Sequence, residues 1–180
     1  ANANYTIDGG VNNVTMQNNG NRDFNSTNTS ITDGTYTARY YVWDTSGNLN
    51  ASRSRVFTLD TTNPQISFVS PTETSRANVS KNWIFANVSL TETGFANITF
   101  TLYNDSTTVN STVYTTQIKE INWTGLVNNN YTYQVNVTDT ANNKNATEIR
   151  AIRLDNTTSL ISFTTGTLDD GVNVTASAIF

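Results

Sequence analysis

The feature that most constrains this chain is an internal repeat. The segment beginning at Asp33, "DGTYTARYYVWDTSGNLNASRSRVFTLDTTNPQISF", aligns without a gap on the segment beginning at Asn128, "NNNYTYQVNVTDTANNKNATEIRAIRLDNTTSLISF", at an offset of 95 residues. Tyr36/Tyr131, Asp44/Asp139, Asn48/Asn143, Asn50/Asn145, Leu59/Leu154, Asp60/Asp155 and Phe68/Phe163 coincide, and the register continues through Asn78/Asn173 and Val79/Val174 to Phe85/Phe180. More than a third of the 53 aligned positions are identical, and the register extends backwards to place Ala1-Asn2 on Ala96-Asn97. A fixed period of this length marks a chain of equal modules. It predicts the C-terminal portion of one unit at 1–60, a complete unit at 61–155 and the opening strands of a third at 156–180.

Within a unit the apolar residues recur with period two, as half-buried β-strands require. In "YTYQVNVTD", Tyr131, Tyr133, Val135 and Val137 face one way while Thr132, Gln134, Asn136 and Thr138 face the other. The sister strand places Tyr36, Ala38, Tyr40 and Val42 inside; further inward sets are Ile84, Ala86, Val88 and Leu90, then Ile98, Phe100 and Leu102, then Ile149, Ala151 or Ile152, and Leu154. Thr and Asn are poor helix formers, and no stretch carries a helical period. Turn residues that accept positive φ stand at Asp33-Gly34, Ser46-Gly47-Asn48 and Asn128-Asn129-Asn130. Seven or so short strands in about 95 residues is the profile of an antiparallel β-sandwich. The expected fold is all-β, in tandem sandwich repeats.

The strand ending in "DTSGN" or "DTANN", the following strand closing on "LD" and the boundary "TTNPQISFVSPT" together resemble the tandem immunoglobulin-like repeats of bacterial and archaeal cell-surface and secreted proteins. The resemblance implies a fold and an extracellular setting, and it specifies no activity. The second boundary departs from it, with Ser159 in place of Pro64 and Gly166 in place of Pro71.

Composition narrows the chemistry. The 180 residues contain no His and no Cys, which removes disulfides, imidazole or thiolate metal sites, Ser-His-Asp triads and Cys-His pairs. A net charge of −4 with scattered Lys and Arg offers no basic stripe, so nucleic acid is not an expected partner. No apolar run approaches the length of a membrane span. Repeated, non-unique acids do not make a glycosidase pair, and no enzyme is expected. Lys81, Lys119 and Lys144 lie in polar sequence, which argues against Lys-Asn isopeptide cross-links.

The missing residue types are replaced by 28 Asn and by 48 Ser plus Thr. The glycan acceptor pattern Asn-x-Ser/Thr occurs at Asn4, Asn13, Asn25, Asn28, Asn50, Asn78, Asn87, Asn97, Asn104, Asn110, Asn122, Asn130, Asn136, Asn145, Asn156 and Asn173. That is 16 sites, where random order gives about 7.5. In "ANVSL", "ANITF" and "QVNVTD" the Asn and the hydroxyl residue share the outward face, while Val88, Ile98 or Val137 between them points inward. Asn122, with Trp123 as its middle residue, and the overlapping Asn25 and Asn28 are the poorer acceptors. Only 13% of residues are charged, and bulky hydrated sugars could guard strand edges as Lys and Pro do elsewhere.

Tyr41 and Trp43 occupy the outward face where the sister strand carries the Asn136/Thr138 sequon, and Trp83 and Phe85 also fall out of phase with the inward set. These four are candidate interface residues. Asp44, Asn48 and Asp60 with Asp139, Asn143 and Asp155 offer oxygens for calcium, but Asx turns explain them with less machinery; neither metal nor cofactor is expected beyond covalent glycans. The sequence reading is a structural subunit of a glycosylated extracellular filament or stalk. Its partner is itself, in a tandem array or by head-to-tail strand addition from 156–180. The competing readings are an adhesin or carbohydrate-binding array that contacts surface glycans, and an accessory domain of a secreted enzyme.

Overall fold

A computed structural model describes residues 1–20, 22–105 and 107–162. Every regular element among them is a β-strand. The N-terminal unit holds β1 (Asn2–Thr6), β2 (Val14–Thr15), β3 (Gln17–Gly20), β4 (Asp23–Asn25), β5 (Gly34–Trp43), β6 (Leu49–Ala51) and β7 (Arg55–Leu59). The C-terminal unit holds β8 (Gln65–Phe68), β9 (Ala77–Val79), β10 (Trp83–Thr91), β11 (Phe95–Asn104), β12 (Thr107–Tyr114), β13 (Glu120–Thr124), β14 (Asn129–Asp139), β15 (Lys144–Ala146) and β16 (Arg150–Leu154).

The C-terminal unit is built from a pair of facing sheets. One is ordered β13-β10-β8 and the other β12-β11-β14-β16-β9, with β15 also on β14. The pairing is antiparallel except for β9 on β16. The alternation read from sequence becomes the core: Ile84, Ala86, Val88, Leu90 and Trp123 from the smaller sheet pack against Ile98, Phe100, Leu102, Tyr131, Tyr133, Val135, Val137, Ile152 and Leu154 from the larger. Tyr133 sits at the centre, edge-on to Phe68 at 5.4 Å and 5.9 Å from Trp123. Burial pushes its phenol up to about 12, because the ionised form would lie in an apolar layer.

Among the described residues the N-terminal unit has a counterpart of the larger layer, and besides it only the two-stranded sheet β3-β4. β1, β5, β6 and β7 pair in the register of their sisters β11, β14, β15 and β16: Ala3↔Val42 answers Ile98↔Val137, Tyr41↔Ala51 answers Asn136↔Ala146, and Phe57↔Tyr36 answers Ile152↔Tyr131. Side-chain bonds recur as well. Tyr36 Oη donates to Thr32 O at 2.7 Å and Tyr131 Oη to Val127 O at 3.0 Å. Asp44 Oδ1 accepts from Asn48 N at 2.8 Å, as Asp139 Oδ1 does from Asn143 N at 2.8 Å. Gly47 and its sister Asn142 both take positive φ, 85° and 72°, the conformation that Gly and Asn tolerate best.

Two expectations are corrected. Tyr40 and Val42 are not inside: they are 48% and 39% exposed, whereas their sisters Val135 and Val137 are at 0% and 1%. The strand pair β3-β4 stands in place of the three-stranded sheet β13-β10-β8, and its Phe24 borders their groove without burying them. Ile149 is likewise outside, 63% exposed just ahead of β16, and the inward set there is Ile152 and Leu154. The expected strands at 163–180 lie outside the described residues.

Burial therefore separates aromatic residues of the two units. Phe100→Ala is expected to cost about 3–5 kcal/mol and Tyr40→Ala under about 0.5 kcal/mol, as read by denaturant unfolding. Similar losses at the two sites would contradict the layering.

Candidate functional site

Fifteen of the sixteen sequon asparagines lie among the described residues, and none is buried. Asn13, Asn25, Asn28, Asn50, Asn78, Asn110, Asn122, Asn130, Asn136 and Asn156 are exposed, and Asn4, Asn87, Asn97, Asn104 and Asn145 are half-buried. Asn173 lies outside the described residues. The pleat produces this arrangement: with Ile98 and Val137 turned into the core, Asn97, Thr99, Asn136 and Thr138 must face out. Two sequons interlock there, since Asn97 stands opposite Thr138 and Thr99 opposite Asn136.

The acceptor side chains differ in their bonding. Asn87 Nδ2 donates to Ser70 O at 3.0 Å and Asn145 Nδ2 to Pro64 O at 2.8 Å, so each keeps one amide hydrogen in a fixed direction. Asn110 Oδ1 accepts from Trp123 Nε1 at 3.0 Å and from the hydroxyl of its own sequon, Thr112, at 2.8 Å. That bond satisfies the indole of a residue buried in the core. Asn104 Oδ1 is buried without a partner among the described residues.

The four candidate interface residues are on outward faces. Trp83 is 39% exposed, Phe85 is half-buried and the Lys81 ammonium lies 3.8 Å from the Trp83 ring centroid. Across the strand pair, Phe85 is in register with Asn122 and Trp83 with Thr124, the two ends of one sequon. Tyr41 and Trp43 are half-buried, with ring centroids 6.4 Å apart and planes at 31°. Sequence comparison of sister strands left their face without an acceptor, but strand pairing sets Asn4 opposite Tyr41. The signal was available in the repeat register, which aligns Asn4 with Thr99.

The oxygen-rich residues divide into two groups. Asp44 is fully engaged in its turn, accepting from Ser46 N at 2.8 Å, Asn48 N at 2.8 Å and Asn48 Nδ2 at 2.7 Å. Asp60 and Asp139 do meet, joined by Glu92, with carboxylate oxygens within 4.8 Å of one another. Glu92 was not apparent from sequence, because its proximity arises from the turn between β10 and β11. Asn143 Nδ2 donates to Asp60 O at 3.0 Å, so this cluster clasps the connection between the two units. The three carboxylates carry six oxygens between them, the lower end of the six to eight that calcium takes. Asp155, the sister of Asp60, is not in the cluster.

The family model for the bacterial Ig-like domain matches residues 1–61 and again 65–156. The chain belongs to that family. No curated protein sequence matches. Among solved structures, the fibronectin(III)-like modules of CbhA from Clostridium thermocellum are 12% identical with a TM-score of 0.47, over 85% of this chain and 76% of theirs. Dimeric latent PorU from Porphyromonas gingivalis is 19% identical with a TM-score of 0.38, over 69% of this chain and 12% of its own. The bacterial Ig-like fold is a module typical of surface and structural proteins, and it is typically non-catalytic and extracellular.

Three turn carboxylates in these Ig-like units are held below the ordinary range. The Thr62 hydroxyl and then Thr61 lower Asp33; the Asn48 side chain and then its N–H lower Asp44; the Thr6 hydroxyl and then the Asn12 N–H lower Asp8. A lowered folded pKa contributes stability above the unfolded value, about 3.9, which is lost as pH falls through the folded value. Asp33 and Asp44 are thus expected to remain ionised below pH 3.8 by carboxyl NMR, and Asn48→Ala to raise Asp44 alone. Titration of Asp44 at the ordinary value in the parent chain would refute the turn assignment.

Proposed function

We propose that the chain is a structural segment of a heavily N-glycosylated extracellular filament or surface stalk, assembled head-to-tail from Ig-like units. The observation that carries this reading is the placement of the sequons: fifteen acceptor asparagines are described and every one reaches solvent. A coat of hydrated sugars would supply the solubility and strand-edge protection that the low charge does not. No Cys or His offers a catalytic or redox alternative.

The uncovered face of the N-terminal sheet supports self-association. Tyr40, Val42 and Phe57 are 48%, 39% and 38% exposed. Tyr40 and Val42 line a groove of about 910 Å³ that also takes in Ala3, Met16 and Phe24. Strands with the pattern of β8 and β10 from a neighbouring Ig-like unit in the array would cover it as they cover β14 and β16; residues 156–180 of another copy would supply the sisters of β8 and of the first three residues of β10. Repetition of such a heterologous contact builds a fibre. The second reading, an adhesin or carbohydrate-binding array, is favoured by the Tyr41/Trp43 pair alone, and the 31° between those rings presents no flat platform.

Glycopeptide mass spectrometry of native material is expected to find sugar on several acceptors, with Asn97 and Asn136 among them, and electron microscopy to show uniform fibres. Bare peptides at Asn87, Asn97 and Asn136, or monomers that bind glycan arrays, would contradict the proposal.

A further inference from the structure

The solvent faces of these sheets are rich in Asn, Thr and Ser, yet at Trp83, Phe85 and Tyr41 they carry large aromatic rings where a sequon stands directly across the strand pair. Phe85 is in register with Asn122 and Trp83 with Thr124; Tyr41 is in register with Asn4. We propose that these rings are docking plates for the chain's own N-linked sugars, Phe85 with Trp83 receiving the glycan of Asn122 and Tyr41 that of Asn4. The inference rests on the glycosylated-surface reading above, extended to Asn122 although Trp123 makes it one of the poorer acceptors by sequence, and adds what the sugars do to the fold.

Directly opposed residues in an antiparallel pair have Cβ atoms about 4.5–5.5 Å apart. The first pyranose on Asn122 therefore leaves the sheet within van der Waals reach of the Phe85 ring. A pyranose presents polar hydroxyls at its rim and a patch of C–H bonds on its face, and that patch complements the electron-rich face of an aromatic ring. The base of the attachment is firm. Trp123, between Asn122 and Thr124, is buried in the core at 5% exposure with its indole N–H bonded to Asn110. A sugar laid over Phe85 would shield a ring that is otherwise half-exposed, at little cost in chain entropy because strand pairing has already fixed both attachment points.

The same protein supplies a contrast. Asn97 and Asn136 stand opposite Thr138 and Thr99, with no ring in register. Their sugars would extend into solvent and solubilise without bracing the sheet.

The test is a double-mutant cycle on the full chain in its native glycosylated form, read by denaturant unfolding. Asn122→Gln is expected to lower the folded-to-unfolded ratio about three- to tenfold in the parent and under about twofold in Phe85→Leu, which keeps apolar bulk without the ring. Asn97→Gln is expected to change the ratio under about twofold in either background. Equal losses from Asn122→Gln with and without the ring would overturn the docking. Glycopeptides bare at Asn4 and Asn122 but modified at Asn97 and Asn136 would overturn the docking and leave the coat intact, whereas bare peptides throughout would overturn both.

Discussion

The structure depends on one apolar sheet face meeting another. In the C-terminal Ig-like unit, residues alternating along β10 close over residues alternating along β11, β14 and β16, and the large side chains between them are removed from water. Each fully buried Leu, Ile, Phe or Val side chain adds roughly 1.5–3 kcal/mol. The hydrogen-bond ladders, the Asx turns and the tyrosine bonds to upstream carbonyls orient the strands for that contact, and they recur in the N-terminal unit with less of it. On that unit's sheet Ala3, Tyr5 and Ala38 are buried, while the inward face lies open at Tyr40, Val42 and Phe57.

This layering is also what allows a surface so rich in Asn, Ser and Thr. Because the period-two pattern assigns packing to one residue and solvent to the next, outward positions are released from any duty in the core. Val88, Ile98 and Val137 hold the fold while the residues on either side of each complete a sequon. Trp123 carries the division furthest, buried itself while Asn122 and Thr124 flank it outside. The fold and the proposed sugar coat thus draw on alternate residues of the same strands.

Much of this was legible in the sequence. The 95-residue register read from Tyr36/Tyr131, Asp44/Asp139 and Asn48/Asn143 reappears as equivalent strand pairs and equivalent hydrogen bonds, because identical residues in identical spacing close the same turns. The all-β sandwich class followed from the alternation. What sequence could not provide was anything set by strands distant in the chain. Tyr40 and Val42 read as core because their own strand is amphipathic, and exposure depends on a layer contributed elsewhere. The pairing of Phe85 with Asn122, of Tyr41 with Asn4, and the meeting of Asp60 with Glu92 and Asp139 likewise arise from cross-strand register and turn placement. Ile149 was misplaced for a local reason: the link from β15 to β16 shifts the phase, so the strand begins at Arg150.

The most direct measurement is native-state amide hydrogen exchange on the isolated chain, comparing sister residues of β5 and β14. Tyr40 and Val42 have ladder partners equivalent to those of Val135 and Val137, so differences in their protection report the covering layer and not the hydrogen bonds. The account predicts that the β14 amides exchange at least about a hundredfold more slowly than their β5 sisters. Equal protection in the two strands would show that the sheet holds without its opposing face, and would contradict the account.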